Sequence, residues 1–228
     1  MISLTSDIIS NGPFLLEDSL KDIFLRKGFN SSEVMLGIQP YPGQRYKSTA
    51  LEWGETPAFT GLLTGDARSR WMYFVNADWL PDAFNEVTKY YAGKDPSNPR
   101  PTPLNENCYA FRLTEAYLLK SEAIVLSGGS GTTAKSLLSI VLAHSGAGLQ
   151  QLAAVDSAAT QEALQLEIVK ENLRNFLFEN GVDWLALRRL PFAAIQRINP
   201  NIKDPNRLIL PIPAAELNYN PIIQNPGY

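Results

Sequence analysis

Three groupings of side chains have the types that catalysis uses. Glu52, Glu55 and Asp66 are carboxylates set among aromatic residues. Two such groups about 5 to 10 Å apart would suffice for hydrolysis of a glycosidic bond, but nothing in their spacing brings two together. Arg112, Glu115 and Glu122 resemble a catalytic constellation and read instead as pairing that ties adjacent helices. His144, the one imidazole, stands beside Ser145 near a helix end. A nucleophile, a base and an orienting acid must converge from distinct elements, and neighbours on one helix do not supply that geometry. The chain is therefore not expected to be an enzyme, and no cofactor or metal is called for.

Binding is the chemistry its residues favour. Tyr41, Arg45, Tyr46, Glu52 and Trp53 lie among prolines and glycines in a span too irregular to be wholly buried. Sugars offer apolar C–H faces to aromatic rings and hydroxyls to Arg, Asn or Glu. Tyr and Trp supply that amphipathic area at small entropic cost. These five are the candidate ligand-binding residues; the other reading is that they pack a loop layer onto the helices. Trp71, Tyr73 and Phe74 alternate like a strand, so some of them belong to the core, and Trp79 fits either role. Trp184 reads as a core wedge. Cys108 reads as a small buried residue ahead of a helix. Arg188 and Arg189, close to a helix C-terminus, complement its dipole and are expected to tie down the tail.

Composition narrows the classes. The chain has 228 residues, 45% hydrophobic and 19% charged, with a formal charge of −3. A nucleic-acid binder would need a basic face, which this balance does not give. One Cys and one His rule out a disulfide framework or a common zinc site built from this sequence alone. No apolar run is long enough to span a membrane. The start, Met1-Ile2-Ser3-Leu4-Thr5-Ser6-Asp7, has neither the charged nor the apolar region of an export signal.

The elements that must position these residues follow from periodicity and punctuation. Residues 3–11 read as a short helix stopped at Asn11-Gly12-Pro13, and 17–26 as a second helical piece with Leu20, Ile23 and Phe24 on one face. Residues 32–39 alternate like a strand. Residues 40–107 hold three of the four tryptophans among short Pro and Gly clusters and no sustained period; this is a long, structured and functional loop region. Helical spacing returns at Tyr109, Leu113, Ala116, Tyr117 and Ile124, with Arg112 and Glu115 paired on the polar face. A Gly-rich turn and a Thr132 or Thr133 cap lead into a helix over 134–143. The spacing predicts a long helix over 160–180, with Leu166, Val169, Leu173, Phe176 and Leu177 as its stripe and the pairs Glu167/Lys170 and Glu171/Arg174. A short helix over 182–190 stops at Pro191. Seven of the sixteen prolines fall in residues 191–228, which read as an extended strap, neither helix nor central strand, lying across the helices.

Four stretches carry a resemblance to the SusD/RagB family: Arg112 to Ala123, Ala134 to Gly148, Phe178 to Arg189, and the tail. In the tail the matching residues are Leu210-Pro211-Ile212-Pro213, Glu216, Asn220-Pro221 and Gln224-Asn225-Pro226-Gly227-Tyr228. Weaker agreement appears at 32–39 and at Gly65-Asp66-Ala67-Arg68. Val182 stands where the family often has Arg, and Ala186 where it often has Asp. Members are usually about twice this long and begin with a lipoprotein signal and cysteine. The chain thus resembles the C-terminal half of a member, with residues 3–11 as one half of a helix pair.

The resemblance implies a mainly α fold of tetratricopeptide-like helix pairs, an irregular loop layer, few short strands and a Pro-rich strap. The single domain over 1–228 divides into a helix-pair remnant and strand (1–39), an aromatic loop region (40–107), a helical bundle (108–190) and the strap (191–228). It further implies an outer-membrane, cell-surface protein without catalysis. Such a protein binds a polysaccharide or oligosaccharide and hands it to a SusC-like TonB-dependent transporter, touching the membrane only through a lipid anchor that this sequence lacks. Apolar side chains at 2–24 are expected to drive self-association. The alternative is a cytosolic helical-repeat adaptor gripping peptides in a groove lined by Lys, Arg and Asn; the aromatic loop and the strap speak against it.

Overall fold

The computed structural model describes residues 1–38, 61–76, 84–87, 89, 107–177, 179 and 181–228. Helix α1, Ile2–Asn11, forms as the sequence predicts. Its end depends on close approach: a Cβ on Gly12 would stand 2.5 Å from the Ile8 carbonyl oxygen. Helix α2, Leu20–Asp22, starts later than expected because Ser19 caps it, accepting from the Lys21 N–H at 3.3 Å. Glu17 turns instead to Ser31 and Ser32. Strand β1, Val34–Ile38, pairs antiparallel with β4, Cys108–Arg112, so that Leu36 faces Phe111 and Ile38 faces Cys108. Residues 109–112 are therefore strand, not the first turn of a helix, because pairing with β1 overrides their helical spacing. Cys108 accordingly sits half-buried in a strand.

Within 61–89 the chain forms a short helix α3, Ser69–Met72, and a hairpin of β2, Tyr73–Asn76, with β3, Phe84–Val87. Helix α4, Leu113–Leu126, and α5, Gly131–Ser145, pack along each other, with the Ser121 hydroxyl donating to the Ala134 carbonyl at 2.8 Å. Ser130 caps α5, not Thr132 or Thr133: its Oγ accepts from the Thr133 N–H. Gly146 closes α5 in the left-handed region at φ 71°, where its N–H and that of Ala147 satisfy the last carbonyls. Helix α6, Leu149–Ser157, occupies a span to which the sequence reading assigns no element.

Helix α7, Gln161–Asn175, with Thr160 as N-cap, is the spine. Leu164 and Ile168 join α4–α6 around Leu118, Leu138 and Leu142. Val169 and Leu173 join a second cluster with Leu187 and Ile195. Just past its end, Leu177 reaches a third with Leu20, Phe24, Trp71 and Tyr109. The burial of α7 thus runs around most of its circumference, and its polar residues must find partners inside. Helix α8, Val182–Leu187, follows Gly181.

The prolines beyond α8 start helices as often as they stop them. Pro191 precedes α9, Phe192–Ile198, and Pro213 precedes α10, Ala214–Tyr219. Proline at a helix N-terminus gives up only an N–H that would be unpaired anyway, so the expectation of a helix-free strap fails. The strap's course also differs. It packs on the bundle through Ile202 and Leu208, then folds on itself. The Gln224 side chain both accepts from the Ile212 N–H and donates to its carbonyl, at 2.8 and 2.9 Å. Asn225 donates to the Leu210 carbonyl, and Arg207 lies 4.6 Å over the Tyr228 ring. Tyr219 and Ile223 remain 87% and 92% exposed, so the end of the tail closes on itself and does not lie across the helices.

Candidate binding surface and its frame

Of the predicted ligand-binding residues, Tyr41, Arg45, Tyr46, Glu52 and Trp53 all lie outside the described residues, as do Glu55 and Trp79. The structure shows the frame from which those spans depart. At its centre is a set of buried charges converging on the C-terminal turn of α7. Of these contacts only the Glu171–Arg174 pair was legible in sequence.

Arg112 is buried. Its Nη1 donates to Glu33 at 2.9 Å, its Nε to Glu179 at 2.8 Å and its Nη2 to the Asn175 carbonyl at 3.3 Å. The guanidinium also stacks 4.4 Å over the Phe176 ring. The predicted Arg112–Glu115 surface pair is not made, because Arg112 is the last residue of β4 and faces inward. Burial raises the Glu115 carboxyl above its usual range, with Arg112 pulling the other way. Lys89, equally buried, donates to the Asn175 carbonyl at 2.6 Å, to the Leu177 carbonyl at 3.2 Å and to the Glu179 carboxylate. Burial alone would raise Glu179, but Arg112 and Lys89 hold it below the ordinary carboxylate range. Two cations at a helix's last carbonyls also complement its dipole.

Glu33 is the hub on the other side. It receives Arg112 and the Thr114 hydroxyl, and the His144 Nε2 stands 2.9 Å from its second oxygen. The His144 Nδ1 meets the Glu17 carbonyl at 2.7 Å. His144 is thereby occupied in bridging the end of α5 to the segment before β1. Burial would raise the Glu33 carboxyl, but His144, Arg112 and Thr114 take it down to about 2.

A second cluster abuts the first through Asn175. Arg68 holds Asp66 with Nε at 2.9 Å and Nη2 at 2.7 Å, and Glu171 with Nη1 at 2.5 Å. Burial opposes its charge, yet Glu171 and Asp66 raise the guanidinium further above its usual range. Arg174 reaches Glu171 at 3.3 Å as expected, and donates to the Leu62 carbonyl at 2.9 Å. The Asn175 amide donates to Glu171 at 2.5 Å and to Ser145 at 2.8 Å. Asp66 is therefore a structural anion. Trp71 lies in the core beside Phe24, with ring centres 6.4 Å apart. Trp184 wedges against Leu173 and its neighbours as expected. Glu122 does tie helices: it takes Arg189 at 2.8 Å, joining α4 to the end of α8. Arg189 also donates to the Leu185 carbonyl, so it completes α8 and does not bind the strap.

With this geometry in place the chain was compared with known proteins. Residues 82–228 match the sequence profile of the SusD family. The chain belongs to the SusD family. No curated protein sequence matches it. Solved structures of this fold superpose over nearly its whole length. A SusD superfamily protein from Parabacteroides distasonis gives TM-score 0.69 at 16% identity, with 100% of this chain and 56% of that one covered. Surface glycan-binding protein A from Bacteroides uniformis gives 0.65 at 19%, covering 98% and 55%. A laminarin-binding SusD-like protein gives 0.66 at 21%, covering 100% and 58%. The chain thus spans a little over half the length of these SusD structures, and shares their mainly helical fold. Among the described residues no group of three His, Cys, Asp or Glu could hold a metal, and no helix is long and apolar enough to cross a membrane.

Proposed function

We propose that this chain is the rear portion of a cell-surface SusD protein, one that binds a polysaccharide or oligosaccharide without cleaving it. The glycan is then handed to a SusC-like TonB-dependent transporter in the outer membrane. The observation carrying this reading is family membership over residues 82–228, supported by structural neighbours named for surface glycan and laminarin binding. The ligand residues are Tyr41, Arg45, Tyr46, Glu52 and Trp53. The three rings stack on sugar faces, while Arg45 and Glu52 take hydroxyls. The buried charges at the end of α7 are engaged in holding elements together, which suits a rigid presenter better than a hydrolase.

Affinity gel electrophoresis against laminarin and a panel of plant, host and fungal polysaccharides tests it. Retardation by at least one polymer, reduced in Trp53→Ala and Tyr46→Ala, is expected, with no new reducing ends after incubation. Free migration in every gel, or the appearance of reducing ends, would overturn it.

A further inference from the structure

A cavity of about 390 Å³ opens where the turn between α4 and α5 meets the turn between α6 and α7. Its floor is Val125, Ala158 and Leu164, three buried members of the cluster around Leu118. Thr132, Lys135 and Gln161 line it from the starts of α5 and α7. Lys135 is half-buried and held in place, its ammonium donating to the Asp156 carbonyl at 2.8 Å. Two of its three N–H groups are left to give. No carboxylate is among the lining residues, so this ammonium is the one formal charge on the cavity. The opening residues of α5 and α7, Gly131 and Gln161, lie on the same cavity, and their helix dipoles add to the positive potential that the lysine sets.

Size and lining together select the occupant. The volume falls within the roughly 300 to 1,000 Å³ of small-ligand pockets, which join an apolar wall to a few convergent polar groups. A bare inorganic anion would answer Lys135 but lose its hydration against three apolar side chains. A neutral sugar would cover the floor with a C–H face and leave the ammonium unmatched. A sugar acid meets both demands. Its ring lies on the floor, its carboxylate takes a charge-assisted hydrogen bond from Lys135, and its hydroxyls reach Thr132 and Gln161.

We propose that this cavity binds a carboxylated sugar unit, such as a uronic acid, with Lys135 as the partner of the carboxylate. The choice of a sugar rests on the glycan-binding reading, but the site uses none of Tyr41 to Trp53.

Sodium glucuronate titrated into the whole chain, followed by the backbone amide resonances, tests it. Saturable shifts are expected at Gly129, Gly131, Thr132 and Gln161. Glucose and acetate, which carry the ring and the carboxylate separately, should each bind about tenfold more weakly or worse. Lys135→Met should weaken glucuronate about tenfold or more, leave glucose as it was and keep the rest of the spectrum. Lys170→Met, which removes a Lys–Glu pair on α7 outside the cavity, should change nothing. Absence of shifts at these amides, acetate or glucose binding as tightly as glucuronate, or full affinity in Lys135→Met overturns the proposal. Glucuronate bound here by a chain that no polysaccharide gel retards would overturn the polymer reading and leave the cavity standing. Retardation without these shifts would do the reverse.

Discussion

Acid should dismantle this protein through Glu33, and the size of the effect can be worked out. In the unfolded chain its carboxyl titrates near 4.5; in the fold His144, Arg112 and Thr114 overcome burial and bring it to about 2. The gap, at about 1.4 kcal/mol per tenfold change in proton affinity, amounts to roughly 3 kcal/mol. The folded value lies below the unfolded one, so the unfolded state binds the proton first. The stabilisation is complete above pH 4.5 and is lost as pH falls toward 2. By pH 3 about 2 kcal/mol should be gone, against a total of about 5 to 15 for a typical domain. Other carboxylates titrate over the same range, so the measurement is a difference. Urea midpoints of the wild type and Glu33→Gln are compared at pH 5.5 and pH 3.0. The neutral amide cannot titrate, so the wild type should lose about 1 M more in midpoint than the variant. Parallel shifts in the two proteins would show that Glu33 is not the acid-sensitive group and that its ion pairs contribute little.

Asp183 runs the other way. Burial pushes its carboxyl up to about 6 against an unfolded 3.8, with the Trp184 N–H only partly opposing, so ionising it destabilises the fold progressively from pH 3.8 to 6. Asp183→Asn, which keeps an acceptor for the Trp184 N–H, should gain about 2 to 3 kcal/mol at pH 7.5 and little at pH 4, read from urea melts at both. Gly146→Ala places a Cβ in open space but at φ 71°, so only backbone strain acts and stability should drop by about 1 to 2 kcal/mol; no change in melting temperature would contradict the left-handed cap. Leu4 and Leu15 stand 69% exposed, and self-association through this face should appear as concentration-dependent sedimentation that Leu4→Ser and Leu15→Ser abolish.

Where local chemistry decides structure, the residues announce it. Thr160, Gly146 and Gly12 mark helix ends because capping and stopping are settled within a few neighbours. Where a distant partner decides, they mislead. Tyr109 to Arg112 have helical spacing and become strand because Val34–Ile38 lies alongside. The α9 and α10 helices are hidden by reading Pro191 and Pro213 only as breakers. The stripe of α7 foretells one buried face, yet Glu167, Glu171, Asn172 and Asn175 are buried too. Their partners lie up to 103 residues away, as Arg68 does from Glu171, and no periodicity encodes that. For the candidate site, residue type singles out the aromatic span of Tyr41 to Trp53, which lies outside the described residues.

Why the end of α7 is held by charge and not by leucines follows from magnitudes. Replacing a buried ion pair with apolar residues of like volume is often neutral or stabilising, by about 1 to 4 kcal/mol. Stability alone therefore does not favour Arg68, Lys89 and Arg112 at the end of α7. Direction does. An apolar contact is satisfied by many orientations, whereas Arg68 meets two carboxylates through three nitrogens and is satisfied in very few. Arg112 fixes β4 in the same way, and its partner Glu33 adjoins β1, from whose end the span with Tyr41 to Trp53 departs. A stacking platform works only if its rings are presented at the spacing and tilt of successive sugars. Binding modest in strength but exact in geometry gains most from a frame whose angles cannot drift.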